Sequence, residues 1–282
     1  MQYGFVVPNN FGVEDPTQLI ELAVEAEALG FDSVWVNHHV LNIGYVRERL
    51  EQAPYHDALM TLAWIGAATQ QIRLGTSVLV MPYLNPLVLA KELSTLDNLT
   101  AGRLLVGLGV GSNPAENQAL GVVPYEARGQ YADEFITVLK GLWCEPEFTF
   151  QGHFFQLEGL ISAPKPTQLP HPPILVGGNR PPALRRAGRL ADGWHGLNLP
   201  PDSVRKRLPM IASEAEKTGR STPAHRSVRL DIAQVDLAAV AAYEAVGVTE
   251  LVVSLASGDI DANRQAIEQF ALQHSLTSRK VN

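Results

Sequence analysis

The segment from residue 72 to residue 113 constrains the fold of this chain more than any other. Residues 72–80 form a continuous apolar run, which lacks the alternation of a half-solvated strand and predicts a strand buried on both sides, as in a parallel sheet. Asn85 and Pro86 suit the cap and the first position of a helix. Four leucines at helical spacing are predicted to form its buried face: Leu89, Leu93, Leu96 and Leu99. A second apolar strand over 103–108 completes a strand–helix–strand unit, from which parallel sheets are built.

The same rhythm of apolar strand and helix repeats along the 282 residues. Eight strands are predicted, over residues 3–8, 31–36, 72–80, 103–108, 174–176, 192–197, 227–233 and 249–255. Eight such units in a chain of this length predict an α/β fold of the (β/α)₈ TIM-barrel type. The alternative is an open doubly wound sheet, but the first strand ends in Pro8, Asn9 and Asn10, without the glycine-rich turn usual there. Since no stretch marks a domain boundary, we expect residues 1–282 to form a single barrel domain.

One segment departs from this rhythm between the fourth and fifth strands. A helix is predicted over 127–142, and residues 147–157 alternate apolar and polar side chains around Gly152, which predicts a β-hairpin outside the main sheet. We therefore expect a barrel with an inserted helix and β-hairpin segment. Farther along the chain, residues 201–218 are predicted to form one helix.

Charge and cysteine content exclude several classes of function. Lysine and arginine number 22 against 29 acidic residues, a net charge of −7, and no basic run is present, so neither nucleic acid nor an anionic membrane is an expected partner. Cys144 is the single cysteine, which excludes an intrachain disulfide and suits a reducing cytoplasm. No signal peptide or membrane span is recognisable, and we expect a cytoplasmic protein.

In a barrel of this type the active site lies at the carboxyl ends of the strands. The residues predicted there include Asn9, Asn10, Asn37, His38, His39, Ser77, Val78, Gly109, Gly111, Ser112, Gly177, Gly178, Asn179, Trp194, Leu197, Asp231 and Ser254. They include no lysine for a Schiff base, no pair of glycosidase carboxylates and too few ligands to predict a metal site. Such a site indicates that a bound organic cofactor carries the reaction.

Two stretches in this set are candidates for specific roles. The turn Gly177, Gly178 and Asn179 precedes a helix, so its amides could hold a phosphate, with Arg180 adding charge, although an ordinary strand-to-helix turn has the same pattern. His38 and His39 follow the second strand, and alternation directs only one of them into the barrel mouth. The alternative is a histidine hydrogen-bonded in the barrel wall or a loop.

Three further residues carry weaker signals. Asp231 is either a lone acid near the mouth or a partner of Arg229. Trp194 is expected in the core, since large aromatic residues are usually buried. Asp57 is expected to cap the second helix, predicted over 57–69.

Four motifs together resemble the bacterial luciferase-like superfamily, within its branch of coenzyme F-420-dependent oxidoreductases. They are GFDSVWVNHH (30–39), IRLGTSVLVMPYLNPLVLAKELSTLDNLTAGRLLVGLGVG (72–111), PPILVGGNRP (172–181) and ADGW (191–194). The resemblance implies a (β/α)₈ barrel with an insertion that binds FMN or the deazaflavin F-420 at the strand ends. It places a non-proline cis peptide at Ser77–Val78 beneath the ring and the phosphate at Gly177 to Asn179.

The chain departs from these relatives at two places. Asn37, His38 and His39 stand where F-420 enzymes commonly have Ser-Asp-His and flavin monooxygenases often have Glu-His-His, so an acid is replaced by His38. Ser112 and Asn113 follow the fourth strand, where relatives often have Gly-Trp or a catalytic glutamate. Glu116 matches the acidic stretch farther along in relatives.

The resemblance implies hydride transfer between coenzyme F-420 and a small organic substrate. The alternatives are an FMNH₂-dependent monooxygenase served by a separate reductase, a flavin-binding barrel without turnover, and a lyase or isomerase that uses His38 and Asp231 without flavin. His38 is the first candidate for proton transfer, His39 is the second catalytic candidate, and a homodimer is expected by analogy. The expected cofactor contacts are Asn9, Ser77, Val78, Gly109, Gly111, Ser112, Gly177, Gly178, Asn179 and Arg180.

Overall fold

A closed barrel of parallel strands forms the centre of the protein in a computed structural model, which describes residues 1–276. The β-strands of the described residues are β1 (Gln2–Val6), β2 (Ser33–Val36), β3 (Arg73–Thr76), β4 (Leu79–Val80), β5 (Leu104–Gly109), β6 (Phe148–Gln151), β7 (Gln156–Leu160), β8 (Ile174–Gly177), β9 (Gly193–Leu197), β10 (His225–Asp231) and β11 (Glu250–Ser254). The α-helices are α1 (Thr17–Leu29), α2 (Tyr45–Leu50), α3 (Ala58–Ala68), α4 (Pro86–Leu99), α5 (Pro114–Leu120), α6 (Arg128–Cys144), α7 (Pro181–Leu190), α8 (Pro201–Arg205), α9 (Leu208–Lys217), α10 (Leu237–Ala245) and α11 (Ile260–Gln273).

The order of the strands closes the sheet on itself. Hydrogen bonds join β3, β2, β1, β11, β10, β9, β8 and β5 in that order, and β5 pairs back with β3. All of these pairs are parallel. The predicted third strand is divided into β3 and β4, and β4 also pairs with β5. The predicted (β/α)₈ barrel is thereby confirmed.

The insertion between the fourth and fifth barrel strands contains α5, α6 and an antiparallel hairpin formed by β6 and β7. This confirms the predicted inserted segment, although the hairpin extends to Leu160. Within residues 1–276, no helix has the length and apolar character needed to cross a membrane.

The predicted helix caps are present, and one predicted core residue is wrong. The Asn85 side chain accepts the N–H of Leu87 at 2.8 Å, and Asp57 accepts that of Met60 at 2.9 Å. Leu89, Leu93 and Leu96 are buried, but Leu99 is 77% exposed. Leu99 ends α4 and lies about 80° from Leu89 around the helix axis, which puts it beyond the inward face.

Three predicted elements differ in detail. The predicted helix over 201–218 is two helices, because Pro209 lacks the N–H that a continuous helix requires at that position. The predicted seventh strand ends at Asp231, after which Ile232–Gln234 forms a 3₁₀ turn. The long loop after β2 contains the short helix α2.

The strands separate two apolar regions. Side chains on the outer faces pack against the helices, and Trp194 is fully buried there, where its indole N–H donates to the carbonyl of Gly178 at 2.8 Å. This confirms its expected place in the core. The barrel interior holds a smaller group: Val6, Trp35, Leu105, Leu175 and Val252. Polar side chains above and below that group make the two ends of the interior chemically different.

Candidate active site

A network of asparagines joins the ends of the first two strands. Asn9 donates through its side chain to the carbonyl of Asn37 at 2.9 Å, and its amide oxygen accepts the Asn37 N–H at the same distance. The Asn37 amide donates to Asn10 at 3.0 Å. Asn9, which was predicted from sequence as a cofactor contact, is therefore fixed at the barrel mouth by its hydrogen bonds.

The peptide bond between Ser77 and Val78 is cis, as the resemblance implied. The Val78 side chain occupies space left free by glycines on the neighbouring strands. A Cβ at Gly109 would lie 2.5 Å from Cγ2 of Val78, and one at Gly177 would lie 2.8 Å from its Cγ1. The structure therefore brings together four residues that the sequence places in one site.

Gly111 and Ser112 extend this wall toward the solvent. Gly111 has a φ of 70°, a conformation that favours glycine. A Cβ at this position would also lie only 2.7 Å from Cγ1 of Val80, so a larger residue would clash. Ser112 is exposed. Asn113 caps α5 and also donates to the carbonyl of Ile43 at 2.9 Å, which ties this turn to the loop after β2.

The turn after β8 has the features of an anion cradle. Gly178 has a φ of 126° and donates its N–H to the carbonyl of His195 at 3.1 Å. The Asn179 side chain is clamped to the backbone of Leu197 through two hydrogen bonds of 2.7 and 3.1 Å. The N–H groups of Asn179 and Arg180 have no acceptor within residues 1–276, and the Arg180 side chain is exposed. These donors fit a phosphate group.

His38 is buried in the wall at the end of β2. Its Nδ1 accepts the N–H of Val80 at 3.1 Å. Burial lowers the pKa of His38 to about 4, so the imidazole is neutral near pH 7. A neutral ring that holds a strand end in place matches the wall histidine of the sequence-based alternatives.

His39 faces the mouth and forms a chain of three ionisable groups. Its Nδ1 lies 2.5 Å from Oε2 of Glu116, and its Nε2 lies 2.7 Å from the hydroxyl of Tyr45. Glu116 also accepts the N–H of Val40 at 2.7 Å and of Leu41 at 3.1 Å. Burial alone would raise the pKa of Glu116, but these hydrogen bonds hold it below its ordinary value. The ionised carboxylate fixes the proton on Nδ1 and leaves Nε2 toward Tyr45.

Tyrosine rings surround His39. Ring centroids of Tyr45, Tyr55 and Tyr83 lie 5.4, 5.7 and 6.4 Å from the imidazole. Burial raises the pKa of all three hydroxyls, so they remain protonated donors.

His195 is a site residue that was not predicted from the sequence. It stacks on Trp35 with the rings 5.1 Å apart and 13° from parallel, and it bridges Ser227 Oγ at 2.7 Å to Ser77 Oγ at 2.9 Å. Burial lowers its pKa to about 3, so the ring is neutral. Strand alternation could have found it, because Trp194 faces outward and the next residue must then face inward.

Arg229, from the middle of β10, completes the mouth. Its Nη1 donates to the amide oxygen of Asn37 and lies 3.4 Å from Ser77 Oγ, and its Nε lies 3.5 Å from Ser254 Oγ. The interpretation of Asp231 as its partner is wrong, since Asp231 caps the 3₁₀ turn by accepting the N–H of Ala233 at 2.9 Å. The strand ends at Asp231, so alternation no longer keeps its side chain beside Arg229.

No group of three or more histidine, cysteine, aspartate or glutamate side chains in residues 1–276 is arranged to hold a metal ion. The site thus offers a backbone anion cradle, an apolar wall at Val78, a carboxylate-oriented histidine and an arginine. This arrangement can bind an anionic cofactor and move a proton at its edge.

Known proteins resemble this chain over nearly its whole length. A family model described as luciferase-like monooxygenase matches residues 1–274. An uncharacterised protein of Mycobacterium tuberculosis is 34% identical over 252 residues, 85% of each chain. An F-420-dependent glucose-6-phosphate dehydrogenase of Kineococcus radiotolerans is 35% identical over 215 residues, which cover 73% of this chain and 60% of the relative. A monooxygenase from Streptomyces bottropensis superposes with a TM-score of 0.82 at 20% identity, covering 97% of this chain and 98% of that chain.

Proposed function

The chain belongs to the luciferase-like monooxygenase family, and on this premise we propose that it transfers a hydride between coenzyme F-420 and a small organic substrate. The observation that carries the proposal is the Glu116–His39–Tyr45 chain at the barrel mouth. Moving a hydride to or from a carbon–oxygen bond requires a proton at the oxygen, and an oriented imidazole beside the mouth meets that need.

The cofactor sites follow the geometry described above. When bound, the deazaflavin supplies or accepts the hydride. The N–H groups of Asn179 and Arg180, with the Arg180 guanidinium, would hold its phosphate. The predicted ring contacts remain Asn9, Ser77, Val78, Gly109, Gly111 and Ser112, together with Gly177 and Gly178.

We propose His39, and not His38, as the residue that transfers the proton. The Nδ1 of His38 is already engaged by the N–H of Val80, and burial keeps the ring neutral. His39 instead has a carboxylate on one nitrogen and a hydroxyl on the other. When a substrate hydroxyl is oxidised, the Tyr45 hydroxyl takes up its proton and gives its own proton to Nε2 of His39, and Glu116 stabilises the imidazolium that forms. When a carbonyl is reduced, the imidazolium returns a proton to the substrate oxygen along the same path.

A second candidate is an FMNH₂-dependent monooxygenase that receives its flavin from a separate reductase. Two observations favour it: the likeness to a monooxygenase structure, and His38 in place of the aspartate usual in F-420 enzymes. Mixing the purified protein with F-420 or FMN and following absorbance and binding separates the two. Tight binding of FMN with none for F-420 would overturn our preference, and binding of both without substrate-dependent oxidation would indicate a barrel without turnover.

Replacement of His39 tests the proton-transfer role. We expect His39→Gln to lower kcat about 100-fold while cofactor Kd changes less than about twofold, because the side chain acts on the proton and not on the phosphate. His153→Gln, at an exposed position on the inserted hairpin turn, is the matched control. An unchanged kcat in the His39 variant would remove the role.

We also propose a cytoplasmic homodimer in which residues 1–282 form one domain. Exposed apolar side chains on adjacent helices support pairing: Met60 and Trp64 on α3 are 66% and 50% exposed, and Val88 on α4 is 56% exposed. Light scattering of the purified chain tests it, and a monomeric mass at micromolar concentration would contradict it.

A further inference from the structure

Arg229 is a cation without a carboxylate. Its three protein contacts are the amide oxygen of Asn37 and the hydroxyls of Ser77 and Ser254, all neutral. Within residues 1–276 no carboxylate oxygen lies within 4 Å of it, and its Nη2 donates to no residue. Arg229 stands among the strand ends that form the mouth.

A buried arginine elsewhere in the chain is treated differently. Arg186, on α7, is buried and forms an ion pair with Asp133 on α6, its Nε 2.5 Å from the carboxylate. Taking a guanidinium out of water is costly, and a carboxylate usually offsets that cost. The missing counter-charge at Arg229 is therefore specific to the mouth.

A second cation stands at the rim. Arg49, at the C-terminal end of α2, lies over the ring of Phe11 with its central carbon 4.5 Å from the centroid. Its terminal nitrogens lie 3.3 Å from the side-chain amide of Asn10, which in turn contacts Asn37. Like Arg229, Arg49 lacks a carboxylate within 4 Å in the described part of the chain. The mouth carries two uncompensated positive charges.

We propose that the substrate of this site carries a carboxylate or another singly charged oxygen anion, which Arg229 binds at the mouth with Arg49 at the rim. The planar guanidinium presents paired N–H groups that match such an anion. This inference deepens the proposed function, since it names the substrate class of the same site.

The energetics favour such a ligand. Burial lowers the pKa of Arg229 to about 10, which leaves it charged near pH 7 but poorly solvated. Hydrogen bonds to neutral oxygens replace only part of the hydration free energy that the guanidinium loses on burial. Binding of an anion would stabilise the charge further. A ligand of opposite charge is bound more strongly here than at an exposed arginine.

The position also suits the reaction. Tyr55 lies in edge contact with His39, its ring centroid 5.7 Å away, and its hydroxyl is within electrostatic reach of Arg229 and Arg49. An anionic group held by Arg229 therefore lies at the same barrel mouth as the proton-transfer histidine. Arg229 would bind the charged end of the substrate, and His39 would transfer the proton at its reacting end.

Acetate and acetamide form the pair of probes for this charge, because they have the same shape and differ in charge. We would titrate each into the cofactor-free protein at constant ionic strength and follow heat and melting temperature. We expect acetate to bind and acetamide not to bind. Arg229→Gln should weaken acetate binding at least tenfold, whereas Arg229→Lys should retain a measurable part of it. Arg205→Gln, at an exposed arginine paired with Asp202, should leave acetate binding unchanged.

Each other result counts against the proposal. Acetate binding that is absent from the parent protein, or equal in Arg229→Gln, would overturn it. So would an Arg229→Gln variant whose only defect is weaker binding of the reduced cofactor, since the charge would then serve the cofactor. If the Gln variant does not fold, the Lys variant provides the comparison. Arg229-dependent acetate binding in a protein that binds neither FMN nor F-420 would remove the proposed function and leave this inference standing.

Discussion

A charged side chain stands at each end of the barrel interior, Glu250 at one and Arg229 at the other, and their surroundings are opposite in kind. At the amino-terminal floor, Glu250 accepts hydrogen bonds from the Ser33 hydroxyl and, at 2.6 Å, from His225 Nε2. At the carboxyl-terminal mouth, Arg229 has only neutral partners. The Glu250 carboxylate therefore has its hydrogen-bond partners within the protein. The Arg229 guanidinium has no oppositely charged partner among its contacts and is available to a ligand.

The difference separates stability from binding. Burial alone would raise the pKa of Glu250, but the hydrogen bond and charge of His225 hold it below its ordinary value. Burial lowers the pKa of Arg229, and no group of opposite charge among its contacts restores it. A buried charge with partners in the protein, such as Glu250, stabilises the folded state. A charge without an oppositely charged partner, such as Arg229, is available to bind a ligand. Three predictions test this contrast.

The largest effect is expected at the floor. Glu250→Ala should lower the free energy of unfolding by about 3–5 kcal/mol, because Ser33 and His225 lose a buried partner. Urea denaturation at pH 7 measures it. Asp202→Ala removes an exposed ion pair with Arg205 and should cost less than about 1 kcal/mol. A loss below 1 kcal/mol in the Glu250 variant would show that the floor charge is not compensated as described.

An intermediate effect is expected from the neutral histidines at the mouth. The folded-state pKa values of His38 and His195 are about 4 and 3, below the ordinary value of 6.5. The unfolded chain therefore binds more protons below pH 6.5, and stability falls with pH, by about 1 kcal/mol for each histidine between pH 7 and 5.5. Carboxylates with lowered pKa values, such as Glu250 and Glu116, lose their contribution only at lower pH.

Unfolding in urea at pH 7 and 5.5 measures this slope. His195→Asn should reduce the loss by about 1 kcal/mol, because the replacement cannot titrate in this range. His153→Gln, at an exposed position, should leave the slope as it is. Equal slopes in the parent protein and the His195 variant would exclude this source of acid sensitivity.

Periodicity and caps predicted the fold well because those signals are local. The apolar runs and Asn85 lie within single elements, and their outcome depends on neighbours a few residues away. The prediction that Leu99 is buried was wrong because a leucine at the last position of a helix can point away from the core at little cost in free energy. Pro209 is also a local signal, and it marks the break between α8 and α9 inside the predicted helix over 201–218.

The site depended on contacts between residues distant in the sequence. Glu116 meets His39 across 77 residues, and Arg229 meets Asn37 across 192, so no spacing rule links either pair. The strand ends could be predicted, because barrel geometry brings them to one rim. The absence of a carboxylate beside Arg229 could not be predicted. Asp231 lies only two residues away in the sequence, yet its side chain caps a turn.

The smallest effect is expected at the mouth, and it is the sharpest test of the contrast. Arg229→Gln should change the free energy of unfolding by less than about 1 kcal/mol, because the loss of weak neutral hydrogen bonds is offset by removal of a poorly solvated charge. Urea denaturation beside Glu250→Ala measures it, with acetate absent. A loss of 3 kcal/mol or more would make Arg229 a structural residue like Glu250. If stability is instead preserved while acetate no longer raises the melting temperature, the charge at the mouth acts in binding and the charge at the floor acts in folding.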